Sequence, residues 1–92
     1  MRSKPEVLKE LRQIPGVGKS IAEDLWNIGI RGIADLKGKR PEELYELTNR
    51  HEGMTIDCCL LYVYRCAVYY AETPKEERET GKLLWWNWKD GI

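Results

Sequence analysis

The chain contains no phenylalanine, so its five tyrosines and four tryptophans must supply the aromatic packing. It has one histidine, no serine–histidine–aspartate arrangement and no Walker-type phosphate loop, so the common signatures of hydrolases and nucleotide-dependent enzymes are missing. No apolar run is long enough to span a bilayer, and Met1-Arg2-Ser3-Lys4-Pro5 is not followed by the hydrophobic stretch of a signal peptide. Three cysteines, two of them adjacent, do not make a disulfide framework, which points to a reducing cytoplasm. Excess charge of either sign is also missing: net charge is zero, which counts against a strongly basic clamp for nucleic acid.

What is present centres on Ile14-Pro15-Gly16-Val17-Gly18. Val7, Leu8, Leu11 and Ile14 recur at three- and four-residue steps before it, and Ile21, Ala22, Leu25 and Ile28 do the same after it. That spacing predicts two amphipathic helices, about Lys4 to Gln13 and Lys19 to Asn27, joined by a tight turn. Pro15 should stop the first helix. Ser3 with Glu6 reads as a capping box, and Ser20 with Glu23 should help the second helix start. Gly16 and Gly18 are free to take positive φ and leave their amides uncovered, so the turn and the helix start after it suit an anion such as phosphate.

This stretch resembles the hairpin of the helix-hairpin-helix family, over Leu11 to Leu25 and through Ile14, Pro15, Gly16, Val17, Gly18, Ala22 and Leu25. In that family the hairpin amides hold backbone phosphates across the minor groove without reading sequence. By position the resemblance implies a DNA-phosphate site at Pro15, Gly16, Val17, Gly18, Lys19 and Ser20. Some members also hold potassium or sodium on hairpin carbonyls, which would fall on Arg12, Ile14 and Val17. Other members use the hairpin only as a structural or protein-binding unit, so both readings stay open.

Ile30 to Leu47 reads as a worn copy of the first unit, with its break at Gly38-Lys39-Arg40-Pro41. Lys37, Lys39 and Arg40 are candidates for secondary DNA contacts. The implied fold is all-α. It has two packed helix-hairpin-helix units, as in the small helical bundles of SAM domains and 5'-3' exonuclease C-terminal domains, followed by a C-terminal helix and a Trp-rich tail. As one domain over 1–92, the paired units would occupy 1–50, a central helix 51–72 and a C-terminal extension 73–92. Thr55 is the expected cap of a helix from Ile56 to Glu72 that is apolar nearly all round, with Ile56, Cys59, Leu60, Val63, Cys66, Ala67 and Tyr70 on its main face. Thr73-Pro74-Lys75-Glu76 reads as a further helix start and Gly81 as its stop. Trp85-Trp86-Asn87-Trp88 should fold back on the central helix, pack on a second copy or a protein partner, or stack on unpaired bases.

The Cys-Leu-Leu-Tyr-Val-Tyr-Arg-Cys-Ala-Val-Tyr-Tyr block and the Trp-rich end narrow the resemblance to the bacterial pathogenicity-locus family, some of whose members carry mitomycin-resistance labels. That resemblance implies a fold and a link to DNA, in repair or processing, but no settled activity. Catalysis is not expected. Asp35 lies loosely where DNA glycosylases with this hairpin place a catalytic aspartate, yet base extrusion needs a larger two-lobed domain. Cys59 and Cys66, about 10 Å apart along a helix, are too far apart for a disulfide. With Cys58 and His51 they lack metal-ligand spacing, so no metal site is expected; a redox role for one of these thiols stays open. Trp26 is expected to close the edge of the core, the alternative being a stacking surface.

Overall fold

The computed structural model describes residues 3–88. Residues 1–2 and the last part of the expected extension, 89–92, lie outside the described residues. The described chain is all-helical, with helices α1 (Lys4–Leu11), α2 (Lys19–Asn27), α3 (Pro41–Glu52) and α4 (Cys59–Glu72). Four short 3-10 helices, Ile33–Leu36, Lys75–Glu77, Thr80–Leu83 and Trp85–Trp88, complete the order.

Helix α1 carries Pro5 in its first turn, where a missing N–H does no harm. The capping box does not form: the Ser3 hydroxyl donates to the Glu6 carboxylate at 3.0 Å, and neither side chain reaches a backbone N–H. The helix also ends two residues early. The N–H groups of Gln13 and Ile14 turn to the carbonyls of Glu10 and Leu11, a tighter pitch than the α-helix. Proline disfavours helical backbone in the residue before it, so Pro15 acts upstream of its own position.

Helix α2 has the expected bounds. Gly29, at φ +99, ends it by letting the Ile30 N–H fold back to the Leu25 carbonyl. The segment read as a worn copy forms only the 3-10 helix Ile33–Leu36 before Gly38, and α3 then starts on Pro41. The start of α4 is later than Thr55 suggests. Asn49 Oδ1 holds the Ile56 N–H at 2.8 Å, tying the loop to α3, and Asp57 Oδ1 takes the N–H of Cys59 at 3.1 Å. Asp57, not Thr55, is therefore the side chain that meets the helix start.

Helix α4 is the centre, packed against α3, the 3-10 helix Ile33–Leu36 and the C-terminal turns. Leu60, Val63, Tyr64, Cys66, Ala67, Val68 and Ala71 are buried on it, whereas Cys59 is exposed and Ile56 and Tyr70 are half-buried. Val7, Leu11 and Ile14 come in from one side and Ala22 and Leu25 from the next, as their spacing predicts. Each fully buried Leu or Ile contributes about 1.5–3 kcal/mol, so this cluster fixes the helix arrangement. Trp26 is half-buried against the core edge, with the Arg31 guanidinium 3.7 Å over its ring. Asp35 Oδ2 accepts the Arg31 N–H at 2.8 Å, a local structural role.

After α4 the chain does not form the expected α-helix, and Gly81 lies inside a 3-10 turn instead of ending a helix. Arg78 stacks 3.7 Å over the Tyr70 ring and donates to the carbonyls of Tyr70 and Thr73, closing the end of α4 and reversing the chain. The charged stretch after Pro74 has no apolar stripe to hold a longer helix. Of the C-terminal tryptophans, Trp85 and Trp88 fold back on the core and Tyr69 of α4, whereas Trp86 stays exposed. Trp88 is 8% exposed, donates from Nε1 to the Lys82 carbonyl and receives a bond from Arg65 on its own carbonyl.

Candidate nucleic-acid interface

The turn between α1 and α2 is positioned from below. Ile14 and Val17 are buried, and the Val17 N–H closes on the Ile14 carbonyl at 3.0 Å. Cys66 of α4 lies under the turn, with its sulfur 3.9 Å from the Pro15 carbonyl and 3.6 Å from that of Lys82. Burial pushes the Cys66 thiol up to about 11, so it stays neutral and unreactive at ordinary pH. With the apolar residues turned inward, Gly16, Gly18, Lys19 and Ser20 are left at the surface.

The two glycines are not equivalent. Gly16 takes the left-handed conformation at φ +87, and a Cβ there would lie 2.8 Å from Trp85 Cδ1. Gly18 is the N-cap of α2 in extended backbone, φ −92 and ψ −171, with nothing within 4 Å of a built Cβ. Of the two, Gly16 alone uses the freedom to take positive φ.

The start of α2 differs from the other helix starts. Glu6 lies in the first turn of α1, Glu42 and Glu43 in that of α3, and Asp57 meets the start of α4. The first turn of α2 has no acidic residue and no side-chain cap, so neither Ser20 nor Glu23 plays the part expected of it. Among the described residues, the N–H groups of Gly16, Gly18, Lys19, Ser20 and Ile21 have no acceptor. The positive end of the helix dipole is therefore exposed, with no carboxylate bonded to its N–H groups.

At the second turn the corresponding donor is in use. The Gly38 N–H donates to Glu72 Oε2 of α4 at 2.8 Å, so this amide is already held by the chain's own carboxylate. Lys37, Lys39 and Arg40 are exposed around it and, like Lys19 and Arg12, make no ion pair among the described residues. Elsewhere Arg50 pairs with Glu46, Arg65 with Glu42 and Lys82 with Glu79. Nothing described joins the Gly16–Ser20 set and the Lys37–Arg40 set in one groove: Gly16 and Ser20 border one and Lys39 and Arg40 another. Of the three carbonyls read as a cation site, that of Ile14 holds the Val17 N–H, while those of Arg12 and Val17 accept no bond among the described residues.

The cysteines separate by environment. Cys58 and Cys59 are exposed at the start of α4, where the Asp57 carboxylate raises the Cys59 thiol and the Tyr62 hydroxyl donates to Cys58 Sγ at 3.4 Å. No group of three His, Cys, Asp or Glu suited to a metal occurs among the described residues. No described helix is long and apolar enough to cross a membrane. Sequence reasoning missed Trp85 on Gly16 and Glu72 on Gly38. Neither pairing leaves a local signal, because the partners lie far apart in the chain.

The chain is 40% identical over 63 residues to the mitomycin resistance protein McrB of Streptomyces lavendulae. The match covers 68% of this chain and 60% of the relative, so the chain spans less than two thirds of that protein's length. No solved structure matches it. A model of the pathogenicity-locus family matches residues 4–91, nearly the whole sequence, and the chain belongs to that family.

Proposed function

We propose that the described part of residues 1–50 forms two helix-hairpin-helix units, and that the first grips the sugar-phosphate backbone of DNA without reading sequence. A phosphate rests on the N–H groups of Gly18, Lys19 and Ser20, with Gly16 at the turn, and the Lys19 ammonium adds charge beside it. Pro15 and Val17 shape the turn without donating. The observation that carries this reading is the α2 start, which alone among the described α-helix starts has neither an acidic first turn nor a side-chain acceptor. The function is binding in DNA repair or processing, with no catalytic step. A potassium or sodium ion on the carbonyls of Arg12 and Val17 is compatible with this turn, as neither carbonyl has another partner among the described residues.

Lys37, Lys39 and Arg40 provide a weaker second contact, limited by Glu72 on the Gly38 amide. With net charge zero, affinity is modest and falls steeply with salt. Titration of labelled duplex and branched DNA at increasing salt, followed by anisotropy, tests the reading: micromolar binding that weakens with salt supports it, and no binding at low salt contradicts it.

A second reading is a homodimer or protein partner docked through the aromatic surface. Its support is Trp86, 55% exposed, with Leu84 and Met54 also open to solvent. It is the weaker reading because Tyr64, Trp88 and most of α4 are covered within the chain.

A further inference from the structure

Beside the first turn lies a groove of about 340 Å3 that phosphate binding leaves unused. It runs between α2 and the start of α4, bordered by Gly16, Ser20, Asp24, Asp57 and the Trp85 ring, over an apolar floor that includes Leu60. Its volume is at the small end of ligand sites, which begin at about 300 Å3. We infer that this groove receives an unpaired base next to the phosphate held by α2, so that the preferred DNA carries an unpaired nucleotide. This inference rests on the phosphate reading above.

Position is the first argument. Gly16 and Ser20 belong both to the proposed phosphate site and to the groove wall, so a ligand spanning the two has an anion at one end and a flat apolar group at the other. A nucleotide has that layout. Trp85 provides a ring for the base, and Trp86 braces it edge-on with ring centres 5.7 Å apart.

Charge is the second argument. Asp24 and Asp57 border the groove and repel phosphate from it, so the neutral base enters and the backbone stays on the amides. Hydrogen bonds from the Cys59 backbone and side chain hold the Asp57 carboxyl below its ordinary range, keeping it ionised and acceptor-only. An ionised carboxylate accepts from the amino groups of adenine, cytosine or guanine. In a fully paired duplex the base faces are stacked and none is available to Trp85.

The experiment varies the DNA and leaves the protein unchanged. Anisotropy is measured for a fully paired duplex, the same duplex with one extra unpaired adenosine, and the same duplex with an abasic nucleotide in that place. The abasic form keeps the bend and flexibility of the bulge but lacks the base. The unpaired adenosine is expected to bind at least about fivefold tighter than either control, the lower end of what stacking on an aromatic ring gives. Equal binding of the adenosine and abasic bulges overturns the base groove and leaves the phosphate site standing. Absence of binding to all three overturns the phosphate reading and the groove with it.

Discussion

Trp85 lies directly on Gly16, close enough that a Cβ on the glycine would come within 2.8 Å of the indole Cδ1. The contact joins the C-terminal turns to the turn between α1 and α2, and it gives Gly16 a structural duty that Gly18 lacks. Gly16→Ala should destabilise the fold by at least about 1–2 kcal/mol from its left-handed backbone alone, with the clash added. Gly18→Ala, in extended backbone and open space, should cost less, about 0.5–1 kcal/mol from the poorer N-cap. Urea unfolding of the two variants checks this; equal losses would contradict the assignment.

Thr48 and Tyr64 form a buried polar link between α3 and α4. The Thr48 hydroxyl donates to the Leu44 carbonyl at 3.0 Å and receives the Tyr64 hydroxyl at 2.8 Å. Tyr64→Phe leaves Thr48 bonded to Leu44 and should cost about 1 kcal/mol. Thr48→Val strands the buried tyrosine hydroxyl and should cost more, about 1–3 kcal/mol. Denaturant unfolding orders the two, and a more damaging Tyr64→Phe would refute the network.

Buried Cys66 and Tyr64 make the fold sensitive to alkali. Burial raises both acids, Cys66 from 9.0 to about 11, so the unfolded chain loses these protons first. Stability contributed by the neutral Cys66 thiol is fully present below pH 9 and is lost as pH rises towards about 11. The melting temperature should fall over that window, and Cys66→Ala should flatten part of the fall. In the native protein at pH 8, Cys58 and Cys59 should be alkylated well before Cys66, as mass spectrometry of labelled peptides would show.

Glu72 holds the Gly38 amide of the second turn. Glu72→Gln keeps an acceptor there but removes the negative charge beside Lys37, Lys39 and Arg40. If that turn is a secondary contact, the variant should bind DNA about two- to fivefold more tightly at low salt, and the gain should shrink as salt rises. Unchanged affinity would mean that the second turn only packs.

The parts of this fold legible in the sequence are those written locally. The α2 bounds followed from the stripe Ala22, Leu25 and the glycines on either side, and the centrality of α4 followed from its all-round apolar face. The end of α1 and the start of α4 were displaced because Pro15 acts on Ile14 and because Asn49 and Asp57 hold the loop, effects that no apolar period records. The turn was legible as a motif, but the difference between its two glycines was not. Whether a glycine of the turn is required for its backbone or is free to change depends on Trp85, which lies 69 residues beyond Gly16.

Gly18→Asp probes the proposed phosphate site at the start of α2. Aspartate is a better N-cap than glycine and Gly18 has room for it, so α2 should be as stable or slightly more so. The new carboxylate would occupy the exposed N–H groups at the start of α2 and repel a phosphate there. Wild type and variant are compared by anisotropy on the same labelled DNA, with thermal melts alongside. An unchanged or raised melting temperature together with at least a tenfold loss of DNA affinity is the predicted result. Undiminished binding by the folded variant would show that the α2 start is not where DNA is held.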